Sequence, residues 1–248
     1  MKPCDAASYK DAVATPNIQI FVEDELNEAY EILAAKAIGA PVHRSRVSGA
    51  HRIRASRVTL DELTRFEILL DLMQRSQRSG YQQVVFAIDH EGPGADEGRV
   101  EARRHFHEAF ERLCEYIEHL PSSDPLKQVR LVRVEVRSCL EAWLLSDPQA
   151  IVETFGPSDY RPDTHQTEHL TPRQAREEIA HIVREIGRRK GDRRLARMGG
   201  HAIKSLGARI APDIDLSRAR RNNRSLDYFC DMIENDRNGC QRTFPELN

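Results

Sequence analysis

Two short, largely apolar segments, each followed at once by a carboxylate, constrain the fold of this chain most. Ile18–Val22 leads into Glu23, and Val84–Ile88 leads into Asp89, with Glu91 two residues further on. The second segment is apolar throughout, which is typical of a strand buried on both faces of a parallel sheet. The carboxyl ends of such strands line the crevice where ligands bind. The sequence therefore predicts that these three carboxylates lie close together.

Carboxylates at strand ends fit metal chemistry, with helix capping as the alternative. Mg²⁺ prefers oxygen ligands, Mn²⁺ can take its place, and neighbouring strand ends can share one ion. Asp and Glu are also common at helix N-termini, where they cap N–H groups and offset the helix dipole. Because two separate clusters occur, we favour the metal site.

Strand-like and helical segments alternate through the first 150 residues. In chain order we expect strand one over 17–22, a helix over 25–38, a short strand within 42–58, a helix from a capping box at Thr59 to about Gly80, strand three over 83–88, a helix over 99–119 and strand four over 129–136. This order predicts an α/β fold with a small parallel sheet flanked by helices. We expect a flexible arm over 1–16, the α/β domain over 17–156 and a helical, basic C-terminal subdomain over 157–248.

Composition indicates a cytoplasmic protein. No apolar stretch approaches the roughly 18 residues of a membrane helix, and the N-terminus lacks a secretory signal pattern. The five cysteines are scattered without a Cys-x-x-Cys pair, so we expect reduced thiols and neither a disulfide framework nor a zinc site. A homodimer is compatible with all of this.

Charge is distributed unevenly along the chain. From Arg184 to Arg224 there are thirteen Lys and Arg against four Asp and Glu, a net +9 in a chain whose total is −2. A basic segment beside an acidic body is expected where phosphate binding and metal chemistry are divided between two parts. The candidate phosphate contacts are Arg188, Arg189, Lys190, Arg193, Arg194 and Arg197. The alternatives are a solvated helix face and a docking surface for an acidic partner protein.

The strand-end acids resemble two known families. In response-regulator receiver domains an acidic pair follows the first strand and a phospho-acceptor Asp follows the third, as Glu23-Asp24 and Asp89 would. However, 66 residues separate Glu23 from Asp89, and no Lys follows the strand at 129–136 closely. This minor alternative would make the chain a phospho-acceptor domain.

The closer resemblance is to the TOPRIM fold of topoisomerases, primases and overcoming-lysogenization-type nucleases. That fold has a Glu after its first strand and an Asp-x-Asp-like pair after its third. Within it, the chain resembles RloB-like proteins, small proteins often encoded beside ABC-type ATPases in bacterial defence loci. The segments that carry this resemblance are Ile20–Glu23 with Glu28, Arg137–Asp147, Ile210–Leu216 and Asn223–Phe229. Two positions depart from the family: Asp24 replaces a usual Gly, and Glu91 replaces an Asp.

The resemblance implies a Mg²⁺-dependent endonuclease that cuts DNA or RNA, such as tRNA, as the effector of an anti-phage system with an ATPase partner. Glu23 would be a general base or metal ligand, and Asp89 and Glu91 would hold the ion. Glu141 would be a fourth catalytic carboxylate, or else the last residue of a capping box that begins at Ser138. The chain has no Gly-x-x-x-x-Gly-Lys loop and is not expected to hydrolyse ATP. The alternative is a non-catalytic adaptor or nucleic-acid-binding subunit of an ATPase complex.

Overall fold

The computed structural model describes residues 17–23, 27–43, 46–47, 52–90, 96–156, 159–234 and 240–241. The predicted N-terminal arm and Glu91 lie outside these residues, as does Asp24. The expected α/β class is confirmed.

One parallel sheet organises the chain. Its strands are β1 (Ile18–Val22), β4 (Ile53–Arg57), β5 (Gln83–Asp89), β6 (Arg130–Val136) and the two-residue β7 (Cys240–Gln241), and a separate antiparallel pair is formed by β2 (Val42–His43) and β3 (Arg46–Val47). The strand order is β4-β1-β5-β6-β7, and each neighbouring pair is parallel. The four strands expected from the sequence are therefore confirmed.

Helices cover both faces of the sheet. They are α1 (Glu28–Ala37), α2 (Leu60–Leu63), α3 (Phe66–Arg78), α4 (Glu97–His119), α5 (Leu140–Leu145), α6 (Pro148–Thr154), α7 (Pro172–Lys190), α8 (Gly200–Ile203), α9 (Gly207–Ile210), α10 (Leu216–Asn222) and α11 (Arg224–Glu234). The capping box at Thr59 is present, because Thr59 and Glu62 each bond the other's backbone N–H. The single helix expected from Thr59 to Gly80 is wrong in one respect: it is divided into α2 and α3 at residues 64–65.

Two hydrophobic cores lie on opposite faces of the sheet. On one face Ile20 and Val85 belong to the same core as Ile179 of α7, so the C-terminal helices share a core with the sheet. On the other face Phe86 packs with Phe110 of α4. The first core is continuous across the predicted boundary between residues 156 and 157. In the part of the chain that is described, no helix has both the length and the apolar character needed to span a bilayer.

The strand order sets where a ligand can bind. From β1 the chain crosses to β4 at one edge, then returns past β1 to β5 and on to β6. The order therefore reverses between β1 and β5, where Val22 lies opposite Ala87. In open α/β sheets ligands bind outside the carboxyl ends of the strands at such a switch point.

Candidate active site

A cleft of about 520 Å³ opens at this switch point. Three of the four predicted catalytic carboxylates line it: Glu23 after β1, Asp89 at the end of β5 and Glu141 in the first turn of α5. The fourth, Glu91, lies outside the described residues. The other charged lining residues are Arg57, Asp61, Asp96, Arg99, Arg176 and Lys204. The cleft therefore combines acidic and basic side chains that come from distant parts of the sequence.

Glu23 is held by an arginine from α4. Arg99 Nη2 donates to Glu23 Oε1 at 2.9 Å, and the Glu23 side chain is only 12% exposed. Arg99 is placed by the N-terminus of its helix, because Asp96 is the N-cap and accepts a bond from the Arg99 backbone N–H. The start of α4 thus forms one wall of the cleft.

Asp89 and Glu141 come together around Cys139. Asp89 lies opposite Val136 in the sheet, so the turn that follows β6 lies beside it. Burial, reinforced by the nearby charges of Glu141 and Asp89, raises the pKa of the Cys139 thiol. Cys139 is almost fully buried and lines the cleft with a thiol that favours its neutral form.

The capping box expected at Ser138 is wrong. The N-cap of α5 is Cys139, which makes no side-chain capping bond, and Ser138 adopts the left-handed conformation with φ at 68°. Few non-glycine residues adopt this conformation, and those that do are often found at functional sites. Glu141 is instead buried in the cleft wall, where its Oε1 lies 3.6 Å from Arg176 Nη1. The capping explanation for this carboxylate is therefore removed.

The motif residues around Glu141 form a buried framework. Trp143 Nε1 donates to Ser225 Oγ at 2.8 Å, and Ser225 Oγ donates to Asn223 Oδ1 at 2.8 Å. Asn223 Nδ2 donates to Thr167 Oγ1, which donates to a carbonyl of α5. Trp143 is fully buried. These residues hold the helix that carries Glu141 and do not reach the cleft themselves.

Asp147 has a similar structural role. It is almost fully buried and accepts from the Asp215 backbone N–H at 2.7 Å and from Arg218 Nε and Nη2 at 3.0 Å each. The contact joins the start of α6 to the start of α10. Asp147 thus anchors these two helices to each other.

The carboxylates suit a hard cation in type, although they do not form a ready ligand set. Within the described residues no group of three His, Cys, Asp or Glu side chains is close enough to hold a metal ion. The donors that line the cleft are carboxylate oxygens, the ligands that Mg²⁺ prefers. Arginines lie next to two of these carboxylates, Arg99 beside Glu23 and Arg176 beside Glu141.

The predicted basic contacts lie away from the cleft. Arg188 pairs with Glu185, Arg189 donates to Asp159 at 2.8 Å, and Lys190 Nζ donates to a backbone carbonyl at 2.7 Å. The other three, Arg193, Arg194 and Arg197, are exposed on the turn after α7. Among the described residues that line the cleft, none belongs to this group of six. Three of the six thus have intramolecular partners.

The cationic residues of the cleft were not predicted from the sequence. Arg57, Arg99 and Arg176 lie at the end of β4, the start of α4 and the start of α7. Their positions after a strand or a helix N-cap are the only signal that could have found them.

No family model, no curated protein and no solved structure matches this chain.

Proposed function

We propose that this chain is a metal-dependent nuclease that hydrolyses phosphodiester bonds in DNA or RNA. One observation carries the proposal: Glu23, Asp89 and Glu141, from three separate elements, line one cleft at the switch point of the sheet together with four cationic residues. Acidic side chains alone would suit cation binding, and cationic side chains alone would suit anion binding. Their combination suits the transfer of a phosphoryl group.

The residues have distinct roles in this proposal. One or two of the carboxylates Glu23, Asp89 and Glu141 would hold Mg²⁺ or Mn²⁺, with water as the remaining ligands. The bound ion would supply charge stabilisation at the phosphate and an acidic water. Arg57 and Lys204 line the cleft on elements that carry no candidate ligand and would bind the phosphate oxygens. A carboxylate that does not bind the ion would accept the proton of the attacking water.

The TOPRIM resemblance supports the same assignment. Glu23 follows β1, and Asp89 ends β5, which is the third strand of the parallel sheet in chain order, as that resemblance requires. By the same resemblance we propose an ATPase partner and a role as effector of an anti-phage system. The exposed Arg193, Arg194 and Arg197 would then contact the nucleic acid backbone or that partner.

A non-catalytic adaptor is the second candidate. The observation that favours it is that arginines already neutralise Glu23 and Glu141. In a site that has lost its activity, such ion pairs would be permanent.

A cleavage assay tests the proposal. Labelled single-stranded DNA, duplex DNA and tRNA are incubated with the protein in Mg²⁺, Mn²⁺ or EDTA, with and without an ATPase encoded beside its gene. We expect metal-dependent cleavage that falls by at least about a hundredfold in Asp89→Asn and Glu23→Gln. Asp71→Asn, which removes an exposed acid paired with Arg75 on α3, should keep full activity.

The outcomes separate the two candidates. Cleavage that survives EDTA or the Asp89→Asn change would refute the metal-dependent site. No cleavage under any condition, with retained binding to the ATPase, would establish the adaptor.

A further inference from the structure

Two of the three cleft carboxylates face an arginine from a different wall. Glu23 pairs with Arg99 of α4 at 2.9 Å, and Glu141 pairs with Arg176 of α7 at 3.6 Å. The two glutamate side chains are 12% and 10% exposed, whereas the arginine side chains are 35% and 25% exposed. The carboxylate is thus the more buried member of each pair, and the arginine is the more accessible to solvent.

A divalent cation and a guanidinium compete for the same carboxylate oxygens. At a separation of about 4 Å, like charges repel strongly wherever the surroundings are less polar than water. A cation that binds Glu23 or Glu141 therefore takes the position of the arginine, which must turn away. Because both arginines line the cleft, their displaced guanidinium groups would remain within it.

A displaced arginine needs a new anionic partner. The planar guanidinium donates in a fork that matches phosphate oxygens, and charge-assisted bonds of this kind are among the strongest in proteins. The anion that would enter a cleft of metal and carboxylates is the phosphodiester substrate of the proposed function.

We infer that Arg99 and Arg176 are exchange residues: they neutralise Glu23 and Glu141 until a divalent cation binds, and then bind the phosphate oxygens of the substrate. This inference rests on the proposed function. Its consequence is that the cation and the nucleic acid bind cooperatively, because each removes a cost of binding the other. By linkage, the factor by which Mn²⁺ strengthens oligonucleotide binding equals the factor by which the oligonucleotide strengthens Mn²⁺ binding.

The test is a direct measurement of Mn²⁺ affinity by titration calorimetry. In Arg99→Gln and in Arg176→Gln, which remove the charge but keep a hydrogen-bonding side chain, we expect Mn²⁺ to bind about tenfold more tightly than in the wild type. The matched control is Arg104→Gln on the same helix α4, where Arg104 is exposed and pairs with the exposed Glu101 and Glu108. That variant should bind Mn²⁺ as the wild type does.

A second measurement follows oligonucleotide binding. A nuclease-resistant phosphorothioate oligonucleotide, followed by fluorescence anisotropy, should bind the wild type several-fold more tightly with Mn²⁺ than without it. In the Gln variants this enhancement should shrink, since no arginine is released. Arg99→Lys and Arg176→Lys keep the charge but lose the fork, so they should retain wild-type Mn²⁺ affinity and bind the oligonucleotide more weakly.

The outcomes distinguish this inference from the proposed function. If the wild type binds Mn²⁺ and the Gln variants bind it equally or less tightly, the exchange is refuted while the metal site stands. If the wild type binds no Mn²⁺ even with the oligonucleotide, the metal site and the exchange are both refuted. If a Gln variant does not fold, the corresponding Lys variant decides the question: unchanged oligonucleotide affinity there would overturn the inference.

Discussion

Removal of one buried hydroxyl, by Ser225→Ala, should destabilise the protein well beyond the size of the atom removed. Ser225 Oγ accepts from Trp143 Nε1 at 2.8 Å and from the Arg137 backbone N–H at 3.1 Å, and it donates to Asn223 Oδ1. Alanine leaves both donors without this acceptor. Asn223 Oδ1 keeps the Leu226 backbone N–H as a donor, so its loss is small.

The structure sets the magnitude. The Trp143 N–H is buried, and a buried donor without an acceptor costs about 1–3 kcal/mol. The Arg137 N–H is only partly buried and can reach water, so we assign it about 1 kcal/mol. A total of about 3 kcal/mol corresponds to a fall in Tm of about 6–12 °C for a chain of this size.

Thermal unfolding followed by circular dichroism measures this change against Ser205→Ala. The Ser205 hydroxyl donates to a backbone carbonyl but lies exposed, so its removal should change stability by less than about 0.5 kcal/mol. A double-mutant cycle with Trp143→Phe should give a coupling of about 1 kcal/mol or more, because Phe removes the same bond. Equal Tm values for the two serine variants, or additive effects in the cycle, would refute the account of this network.

Three further predictions concern stability, pH and charge. Asp147→Asn should lower the free energy of unfolding by about 2 kcal/mol, because it weakens three hydrogen bonds to a buried carboxylate. The loss is limited because the partner Arg218 is partly exposed and can rehydrate. A change below about 0.5 kcal/mol in urea unfolding would contradict this prediction. Burial and neighbouring arginines lower the pKa of His107 from 6.5 to about 4, so the unfolded chain takes up a proton before the folded one does and stability falls as pH drops from 6.5 towards 4. Urea unfolding across that range should show a shallower fall in His107→Gln, and an unchanged profile would show that another group is responsible. If Arg193 and Arg194 contact phosphates, changing both to Ala should flatten the log–log salt dependence of nucleic acid binding by about one to two units; an unchanged slope with loss of ATPase binding would mark the segment as a docking surface.

The sheet and two of its carboxylates could be predicted because they depend on local pattern and on simple topology. An apolar segment such as Val84–Ile88 has few alternatives to a buried strand, and Asp89 is then forced to its carboxyl end. Once Glu23 and Asp89 follow parallel strands, they must lie at the same edge of the sheet. The break between α2 and α3 could not be predicted, because residues 64–65 contain neither Gly nor Pro and the pattern of apolar residues continues through them.

The two predicted capping boxes show where a prediction from local sequence pattern fails. Thr59 and Ser138 both begin a four-residue pattern that ends in Glu, yet only Thr59 caps a helix. Thr59 lies on the surface, where the chain is free to adopt the extended cap conformation. Ser138 is fully buried two residues after β6, and the chain turns there through a left-handed residue that directs Glu141 into the cleft wall. The tertiary requirement of that turn overrides the capping preference.

The cationic side chains of the cleft could not be predicted from the sequence for a different reason. The density of charge along a sequence does not report which side chains meet in space. Arg99 bonds Glu23 across 76 residues of chain. Arg189 and Lys190, which belong to the most basic stretch, instead join α7 to neighbouring loops. Lys204 is the member of that stretch that lines the cleft. Arg99 and Arg176 are single residues in ordinary helical sequences, and their carboxylate partners are identified only when the fold brings two walls of the cleft together. A search for basic clusters therefore finds exposed basic surfaces. Arg99 and Arg176, which we propose to bind phosphate after exchange, are found only by asking which arginines neutralise the carboxylates at the switch point.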